Sequence, residues 1–328
     1  MQLVMTPDNP APPGGIATTI LAADGMAIRV ARWHPAGPAR GAVVVCAGRA
    51  EFIEKYFEVA AELLARGLSV VIFDWRGQGL SGRELDNSRK GHIDDFLLYE
   101  RDLEALVEQV LEPFCARPWF ALGHSMGGAI LLAQSHSGRS PFERMVLTAP
   151  MIGLYGLRHP GALRLIAEAL DIIGFGAAFI PGGGSTAAST GRFADNILTS
   201  DEGRYRRTAN IVAASPALGL GDPTIGWLNA AFRLMQQFED AEYPLRTLTP
   251  TLVIGAGGDH LVDPRAVERF ASRLKAGNLV VIAWSQHEIL MERDVFRQQF
   301  WAAFDAFIPG ARDELRALER STDAARER

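Results

Sequence analysis

One glycine-flanked motif constrains the fold of this 328-residue chain more than any other feature. Residues 123–127 read Gly-His-Ser-Met-Gly; the apolar run 119–122 precedes them and the small-residue run 127–133 follows. A strand, a sharp turn and a helix in direct succession hold the central serine in a strained conformation, so glycines are needed two residues before it and two after it for clearance. The motif therefore predicts that Ser125 stands on a tight turn between a buried strand and a helix.

A serine on such a turn is suited to act as a nucleophile. Its hydroxyl is exposed above the sheet, and the N-terminus of the following helix favours negative charge that develops beside it. Because a serine hydroxyl is a weak nucleophile, it needs a base to take its proton and an acid to orient that base. The turn therefore predicts a carboxylate and then a histidine later in the chain. The alternative is a glycine-rich helix start with an incidental serine.

Four histidines follow Ser125, and their predicted surroundings separate them. His136 lies in or just past the helix after the turn, and His159 lies in an irregular region. His260 adjoins a carboxylate and precedes the last predicted strand. His287 lies in a loop just beyond that strand, from which an imidazole can reach over the serine. We predict that His287 is the base, the alternative being a loop histidine with a structural hydrogen bond.

Two aspartates compete for the role of the acid. Asp259 comes in a loop shortly after the predicted strand 251–255. Asp263 precedes Pro264 and has the pattern of a helix N-cap followed by proline at the first helical position. Because this leaves Asp259 free, we predict that Asp259 orients His287 and stabilises its imidazolium form.

The negative oxygen of a tetrahedral intermediate needs two preplaced hydrogen-bond donors. One is the backbone N–H of Met126, the residue after the nucleophile. The other is expected from the loop after the apolar strand 43–46, where the backbone N–H of Arg49 is the candidate. We expect His124, beside the serine, to be a packed histidine that points away from the pocket.

β-Branched runs alternate with amphipathic stretches over most of the chain, which predicts βαβ units and parallel strand pairing. After a hairpin at Asp24-Gly25, buried strands are expected near residues 41–46, 68–73, 119–122, 144–148, 251–255 and 278–284. A long helix is predicted from His92 to about Phe114. The fold class is therefore α/β, with a mostly parallel central sheet flanked by helices and built from residues 16–150 and 244–310.

The alternation breaks between residues 151 and 243, which we call the insertion. Within it Arg164, Glu168 and Asp171 form a narrow polar stripe on an otherwise apolar helix. So wide an apolar face must be covered by a core, a ligand or a membrane. Two interpretations stay open: a helix packed on the main domain, or a cap over an active site with a glycine hinge.

Composition excludes several classes of function. A net charge of −5 gives no indication of the basic surface that binds nucleic acid. Two cysteines are too few for a disulfide framework. The chain has no metal-ligand spacing and no phosphate-binding glycine loop, so we predict neither a metal nor a cofactor. Residues 1–15 lack the pattern of a secretory signal and are predicted to be a loose arm, and residues 311–328 a charged tail. Since no stretch is apolar enough to span a membrane, we expect a cytoplasmic protein.

Several stretches together resemble one family. The chain resembles the α/β-hydrolase superfamily over roughly residues 16–307 and, more closely, the lysophospholipase L2 and monoacylglycerol lipase group of the serine aminopeptidase-like hydrolases. The resemblance is carried by residues 48–51 with 55–56, 74–83, 91–92, 123–130, 147–151 and 287–290. Many relatives have His-Gly where this chain has Ala47-Gly48; the lysophospholipase L2 branch also departs there, which favours that branch.

The resemblance implies a catalytic triad of Ser125, Asp259 and His287, with oxyanion donors at Met126 and Arg49. It also implies an enzyme that cleaves carboxylic esters of acylated glycerol, with a lysophospholipase as the first expectation. A monoacylglycerol lipase, a general esterase, an acyltransferase and a proline-releasing aminopeptidase are the rivals, and a non-catalytic binding protein is the alternative outside enzymes. The expected partner is a small lipid ester. Contact of the apolar insertion with a membrane surface and the oligomeric state stay open.

Overall fold

The computed structural model describes residues 2–187 and 190–309. The strands in this part of the chain are β1 (Ile16–Leu21), β2 (Ala27–Trp33), β3 (Ala42–Cys46), β4 (Ser69–Phe73), β5 (Trp119–His124), β6 (Arg144–Thr148), β7 (Thr251–Ala256) and β8 (Gly277–Ile282). They form one sheet in the order β1-β2-β4-β3-β5-β6-β7-β8. Strand β2 pairs antiparallel with β1 and β4, and the other neighbours pair parallel. The mostly parallel sheet is the predicted one.

Helices cover the sheet and connect its parallel strands. They are α1 (Phe57–Ala65), α2 (Leu98–Leu106), α3 (Glu112–Phe114), α4 (Met126–His136), α5 (Pro160–Leu170), α6 (Glu202–Ala214), α7 (Ile225–Phe238), α8 (Tyr243–Arg246), α9 (Pro264–Ala271) and α10 (Asp294–Phe307). The central strands β3, β4 and β5 are buried along their whole length. Their alternate residues enter two hydrophobic cores, with Val44 and Val71 in one and Val43 and Val70 in the other.

The predicted helix from His92 begins later than expected. Helix α2 starts at Leu98 and reaches α3 through a π-helical turn, Val107–Leu111. The imidazole of His92 instead lies 2.8 Å from the hydroxyl of Thr224 and 3.0 Å from Asp94, so it holds a loop. The carboxylate of Asp95 accepts the Leu97 N–H at 2.9 Å, which turns the chain before the helix.

The segment predicted as a loose arm is held against the core in its described part. Trp33 donates its indole N–H to the Pro12 carbonyl at 3.0 Å. The side chain of Glu54 accepts the Val4 N–H, while its backbone carbonyl accepts the Asn9 amide. Specific hydrogen bonds therefore fasten the arm to the core. The predicted charged tail, residues 311–328, lies outside the described residues.

Helices α5, α6 and α7 lie in the long connection between the adjacent strands β6 and β7. Helix α5 contacts α7 and continues into a π-helical turn at Asp171–Phe175. The boundaries 151–243 of the insertion, and its role as a cap, stay predictions. Among residues 2–187 and 190–309, no helix combines the length and the apolar character needed to cross a bilayer.

Candidate active site

Ser125 occupies a strained turn at the point where β5 becomes α4. Its backbone dihedrals are φ 49° and ψ −114°, in a region that L-residues rarely adopt. The turn is held on both sides: the Ser125 N–H donates to the Thr148 carbonyl at 3.0 Å, and its own carbonyl accepts the N–H groups of Ala129 and Met151. Such strain persists only where the surrounding structure enforces it, which is typical of functional positions.

The flanking glycines are required by close packing around the turn. A Cβ atom on Gly127 would lie 2.1 Å from the backbone oxygen of Cys46 at the end of β3. A Cβ atom on Gly123 would lie 2.7 Å from the Leu131 side chain. The predicted need for glycine two residues before and two residues after the serine is therefore confirmed. The absence of a side chain at these positions lets the start of α4 lie close to the edge of the sheet.

His287 and Asp259 come together across two loops. Nδ1 of His287 lies 2.6 Å from Oδ2 of Asp259, and both side chains are almost wholly buried. The other oxygen of Asp259 accepts the N–H groups of Leu261 and Val262 at 2.7 and 3.0 Å. Burial raises the pKa of Asp259, but the hydrogen bonds and the nearby imidazole lower it by a larger amount. The pKa therefore lies below its ordinary value. Asp259 is thus an ionised acceptor that fixes the His287 ring.

The alternative residues have other partners. Asp263 accepts the Arg265 N–H and caps α9, as the sequence predicts. The ring of His136 stacks on Tyr243, and His260 packs edge-on against Tyr155. His159 precedes the first residue of α5. None of these four residues lines the cavity that contains Ser125 and His287.

This cavity has a volume of about 370 Å³ and opens beside the serine. Ser125, Arg49 and His287 contribute to its lining. The Ser125 hydroxyl and His287 do not form a hydrogen bond in the described structure. Hydrogen bonds between catalytic groups are often long without substrate and shorten only when substrate binds. Much of the remaining wall is apolar and comes from the insertion: Met151, Leu154, Ile180, Leu198, Trp227, Leu228 and Met235. A small polar centre in an apolar pocket suits a ligand with a long apolar part.

The loop after β3 carries a backbone N–H group, between two that are paired, that the described residues leave without an acceptor. The Gly48 N–H donates to the Glu51 carboxylate, and the Ala50 N–H donates to Gln78 at 3.2 Å. Between them, the Arg49 N–H has no acceptor among the described residues. The Met126 N–H is the first of α4 and has no acceptor within that helix. Both predicted oxyanion donors are therefore available to a ligand.

Comparison with known proteins decides the family. A family model described as serine aminopeptidase, S33, a hydrolase family, matches residues 37–294. The chain belongs to this family. This S33-family protein is an ester hydrolase with the α/β-hydrolase fold, as its lysophospholipase and monoacylglycerol lipase relatives indicate. Within residues 2–187 and 190–309, no group of three or more His, Cys, Asp or Glu side chains is placed to bind a metal ion.

The S33-family hydrolase is similar to proteins of three kinds. Lysophospholipase L2 of Escherichia coli is 37% identical over 274 residues, which cover 78% of this chain and 76% of the relative. A monoacylglycerol lipase of Mycolicibacterium smegmatis is 31% identical over 79% of this chain and 85% of its own length. A carboxyl esterase structure from Bacillus coagulans aligns with a TM-score of 0.74 at 18% identity, covering 90% of this chain and 98% of that one.

A buried charge network, which sequence reasoning did not predict, lies in and behind the cavity wall of this hydrolase, where Glu51 and Glu288 line the cavity. Nζ of Lys55 lies 2.8 Å from Glu51 and 2.6 Å from Glu288, the residue after His287. Glu51 also accepts the Tyr56 hydroxyl at 2.6 Å and the Gly48 N–H. Burial raises the pKa of Glu51, but Lys55 lowers it more, to about 2. Lys55 thus joins the loop that carries Arg49 to the loop of His287. The only sequence signal was that 48–51, 55–56 and 287–290 each carried the family resemblance.

The prediction that His124 points away from the pocket is wrong. His124 lines the cavity, and its ring centroid lies 4.8 Å from that of His287. Its Nδ1 lies 3.1 Å from the Thr148 hydroxyl, which turns the ring towards β6 and beneath His287. Burial lowers the pKa of His124 to about 4, so the ring is neutral near pH 7. A neutral neighbour does not oppose positive charge on His287.

Proposed function

We propose that Ser125, His287 and Asp259 form the catalytic triad of a serine ester hydrolase. The observation that carries this proposal is the 2.6 Å contact between Asp259 and His287, which lines the same cavity as Ser125. Because Asp259 binds Nδ1, the other ring nitrogen, Nε2, is left to accept the proton of the serine hydroxyl. Attack by Ser125 on the ester carbonyl forms a tetrahedral intermediate.

The remaining steps follow from the same groups. The N–H groups of Met126 and Arg49 donate hydrogen bonds to the negative oxygen of the intermediate. When the intermediate collapses, the bond to the alcohol breaks and His287 gives its proton to that alcohol, which leaves an acyl group on Ser125. Water then attacks the acyl-enzyme with His287 as base, releasing a fatty acid and restoring the serine.

The proposed substrate is a lysophospholipid, with a monoacylglycerol as the second candidate. The relative that is 37% identical is named a lysophospholipase, and one that is 31% identical is named a monoacylglycerol lipase. Both substrates present one acyl ester of glycerol, and the apolar wall from the insertion would hold the acyl chain.

The test compares these two head groups on one acyl chain. Release of fatty acid is followed for the wild type and for Ser125→Ala, which should lose about three orders of magnitude or more in kcat. A fluorophosphonate should label Ser125 in the wild type and fail to label His287→Ala. Hydrolysis that survives in Ser125→Ala would show that Ser125 is not the nucleophile. Faster release of fatty acid from the monoacylglycerol would make that lipid the preferred substrate.

We also propose that the insertion touches a lipid surface. Ile172 and Ile173 are 78% and 65% exposed, and Leu165, Ile166 and Phe175 are exposed near them on α5 and its continuation. Clustered exposed apolar side chains of this kind mark interaction sites. Sedimentation with phosphatidylcholine vesicles should decrease severalfold for Ile172→Ser/Ile173→Ser, whereas Val295→Ser, at an apolar position that is 56% exposed on α10, should sediment like the wild type. Equal sedimentation of all three proteins would overturn the proposal.

A further inference from the structure

The side chain of Arg49 brings a positive charge to the active-site cavity and has no carboxylate within ion-pair distance among the described residues, although Asp222 attracts it from farther away. Nη2 of Arg49 donates to the backbone carbonyl of Gly221 at 2.7 Å. Its Nε is buried and has no hydrogen-bond partner among the described residues. The guanidinium also lies over the ring of Trp227, 5.2 Å from its centroid. No carboxylate in the described part of the chain forms an ion pair with Arg49.

The most deeply buried cations in the described part of the chain are matched by carboxylates, whereas the partly buried Arg49 is not. Arg29 contacts Glu54 and Asp74, which lies 3.1 Å away, and Lys55 contacts two glutamates. Transferring a charge from water into a protein without a partner costs free energy, so an unpaired guanidinium in a cavity wall is an exception that calls for an explanation. Burial accordingly lowers the pKa of Arg49 to about 10, which still leaves it charged at neutral pH.

We propose that the Arg49 guanidinium binds the phosphate of a lysophospholipid whose ester carbonyl lies at Ser125. The proposal rests on the proposed function and adds the residue that reads the head group. A planar guanidinium matches the oxygens of a phosphate, and a phosphate in the cavity would accept from Nη1, which makes no hydrogen bond to the described residues and, unlike Nε, is not sealed from solvent. A neutral monoacylglycerol has no group that could do so.

The covalent dimensions of the two molecules agree with this assignment. In the proposed complex the Arg49 backbone N–H faces the ester carbonyl oxygen, while the side chain of the same residue faces the phosphate. The number of covalent bonds from the backbone nitrogen of an arginine to its guanidinium carbon equals the number from the carbonyl carbon of a 1-acyl glycerophosphate to its phosphorus. One residue can therefore contact both ends of the glycerol unit.

A different role for Arg49 makes a different prediction. If its hydrogen bond to Gly221 serves only to hold the insertion on the core, then removing the guanidinium should weaken binding of charged and neutral lipids alike. If the guanidinium binds phosphate, the loss should fall on the charged lipid. Binding of lipids that cannot be cleaved separates the two roles without depending on catalysis.

The experiment measures dissociation constants for two short-chain ethers with the same alkyl group, an ether lysophospholipid and a glycerol monoether. Arg49→Gln should raise the constant for the lysophospholipid, relative to that for the monoether, by about tenfold to a hundredfold, the range of a charge-assisted hydrogen bond. Arg49→Lys should recover part of the loss, because it keeps the charge and loses the planar fork.

Arg89→Gln is the matched control. Arg89 also has a buried nitrogen without a partner and packs on the same segment, next to Gly219, but it does not line the cavity. The Arg89→Gln variant should leave the ratio of the dissociation constants for the ether lysophospholipid and the monoether unchanged. An unchanged ratio in Arg49→Gln, or an equal change in Arg89→Gln, would overturn the assignment of Arg49. Failure of the wild type to hydrolyse the ester lysophospholipid would instead overturn the proposed function, since the ether binding does not depend on turnover.

Discussion

The ammonium nitrogen of Lys55 lies 2.6 Å from Oε1 of Glu288, the residue that follows His287. Lys55 also pairs with Glu51 at 2.8 Å, and all three side chains are largely buried. One cation therefore compensates two carboxylates that belong to different loops of the site. Because Lys55 joins two carboxylates of the cavity wall and none of the three residues belongs to the proposed triad, we interpret them as positioning residues.

Replacing Lys55 by methionine should lower the free energy of unfolding by about 3–5 kcal/mol, since two buried carboxylates lose their partner. Urea unfolding at neutral pH measures the change. Lys275→Met, at an exposed position, should stay within about 0.5 kcal/mol of the wild type. Equal stability of the two variants would show that the buried pairs contribute nothing to the fold.

Asp259→Asn should lower kcat for ester hydrolysis by about three to four orders of magnitude, because an amide in place of the carboxylate no longer selects the His287 tautomer that accepts the serine proton. The matched change Asp263→Asn should keep kcat, since Asp263 caps α9 and asparagine caps a helix about as well as aspartate. A large loss of kcat in Asp263→Asn with a small loss in Asp259→Asn would reverse the assignment.

Gly127→Ala should destabilise the fold by about 1–3 kcal/mol or more, because the added methyl group would meet the Cys46 carbonyl at 2.1 Å and push α4 away from β3. Thermal unfolding followed by circular dichroism measures the loss. Gly161→Ala in α5 provides the control: its Cβ meets nothing within 4 Å, so this variant should gain about 0.4–1 kcal/mol. The packing argument fails if both alanines are tolerated alike.

Glu58 predicts a pH dependence of stability. Burial raises the pKa of Glu58, but hydrogen bonds from Arg204 and Arg207 and the nearby Arg297 lower it more, to about 2, from an ordinary value of 4.5. Because the folded-state pKa is depressed, the stabilisation is complete above pH 4.5 and is lost as the pH falls towards 2.

The wild type should therefore exceed Glu58→Gln in stability by about 1–3 kcal/mol at neutral pH, a value reduced for the partial exposure of the carboxylate. Urea unfolding at a series of pH values should show this difference shrinking below pH 4.5. A difference that is constant from pH 7 to pH 3 would mean that Glu58 acts through packing alone.

Local pattern was sufficient for much of the fold. The β-branched runs around 41–46 and 68–73 are strands because their side chains are buried on both faces of the sheet, and the strand–turn–helix around Ser125 needs only its glycines and its flanks. The start of α2 was missed because His92 and Asp95 make hydrogen bonds that no helical period reveals.

Chain order and residue type determined the predicted site residues, since a serine turn requires an acid and then a histidine beyond later strands. The sequence by itself therefore determined the sheet, the strained turn and the candidates Asp259 and His287. Only the tertiary structure decided what each cation contacts. Lys55 pairs with the carboxylate of Glu288, 233 positions away in the sequence, whereas Arg49 reaches only the backbone carbonyl of Gly221, 172 positions away. Such contacts depend on how distant loops and the insertion pack together, and an amphipathic pattern specifies which face is covered without specifying by what.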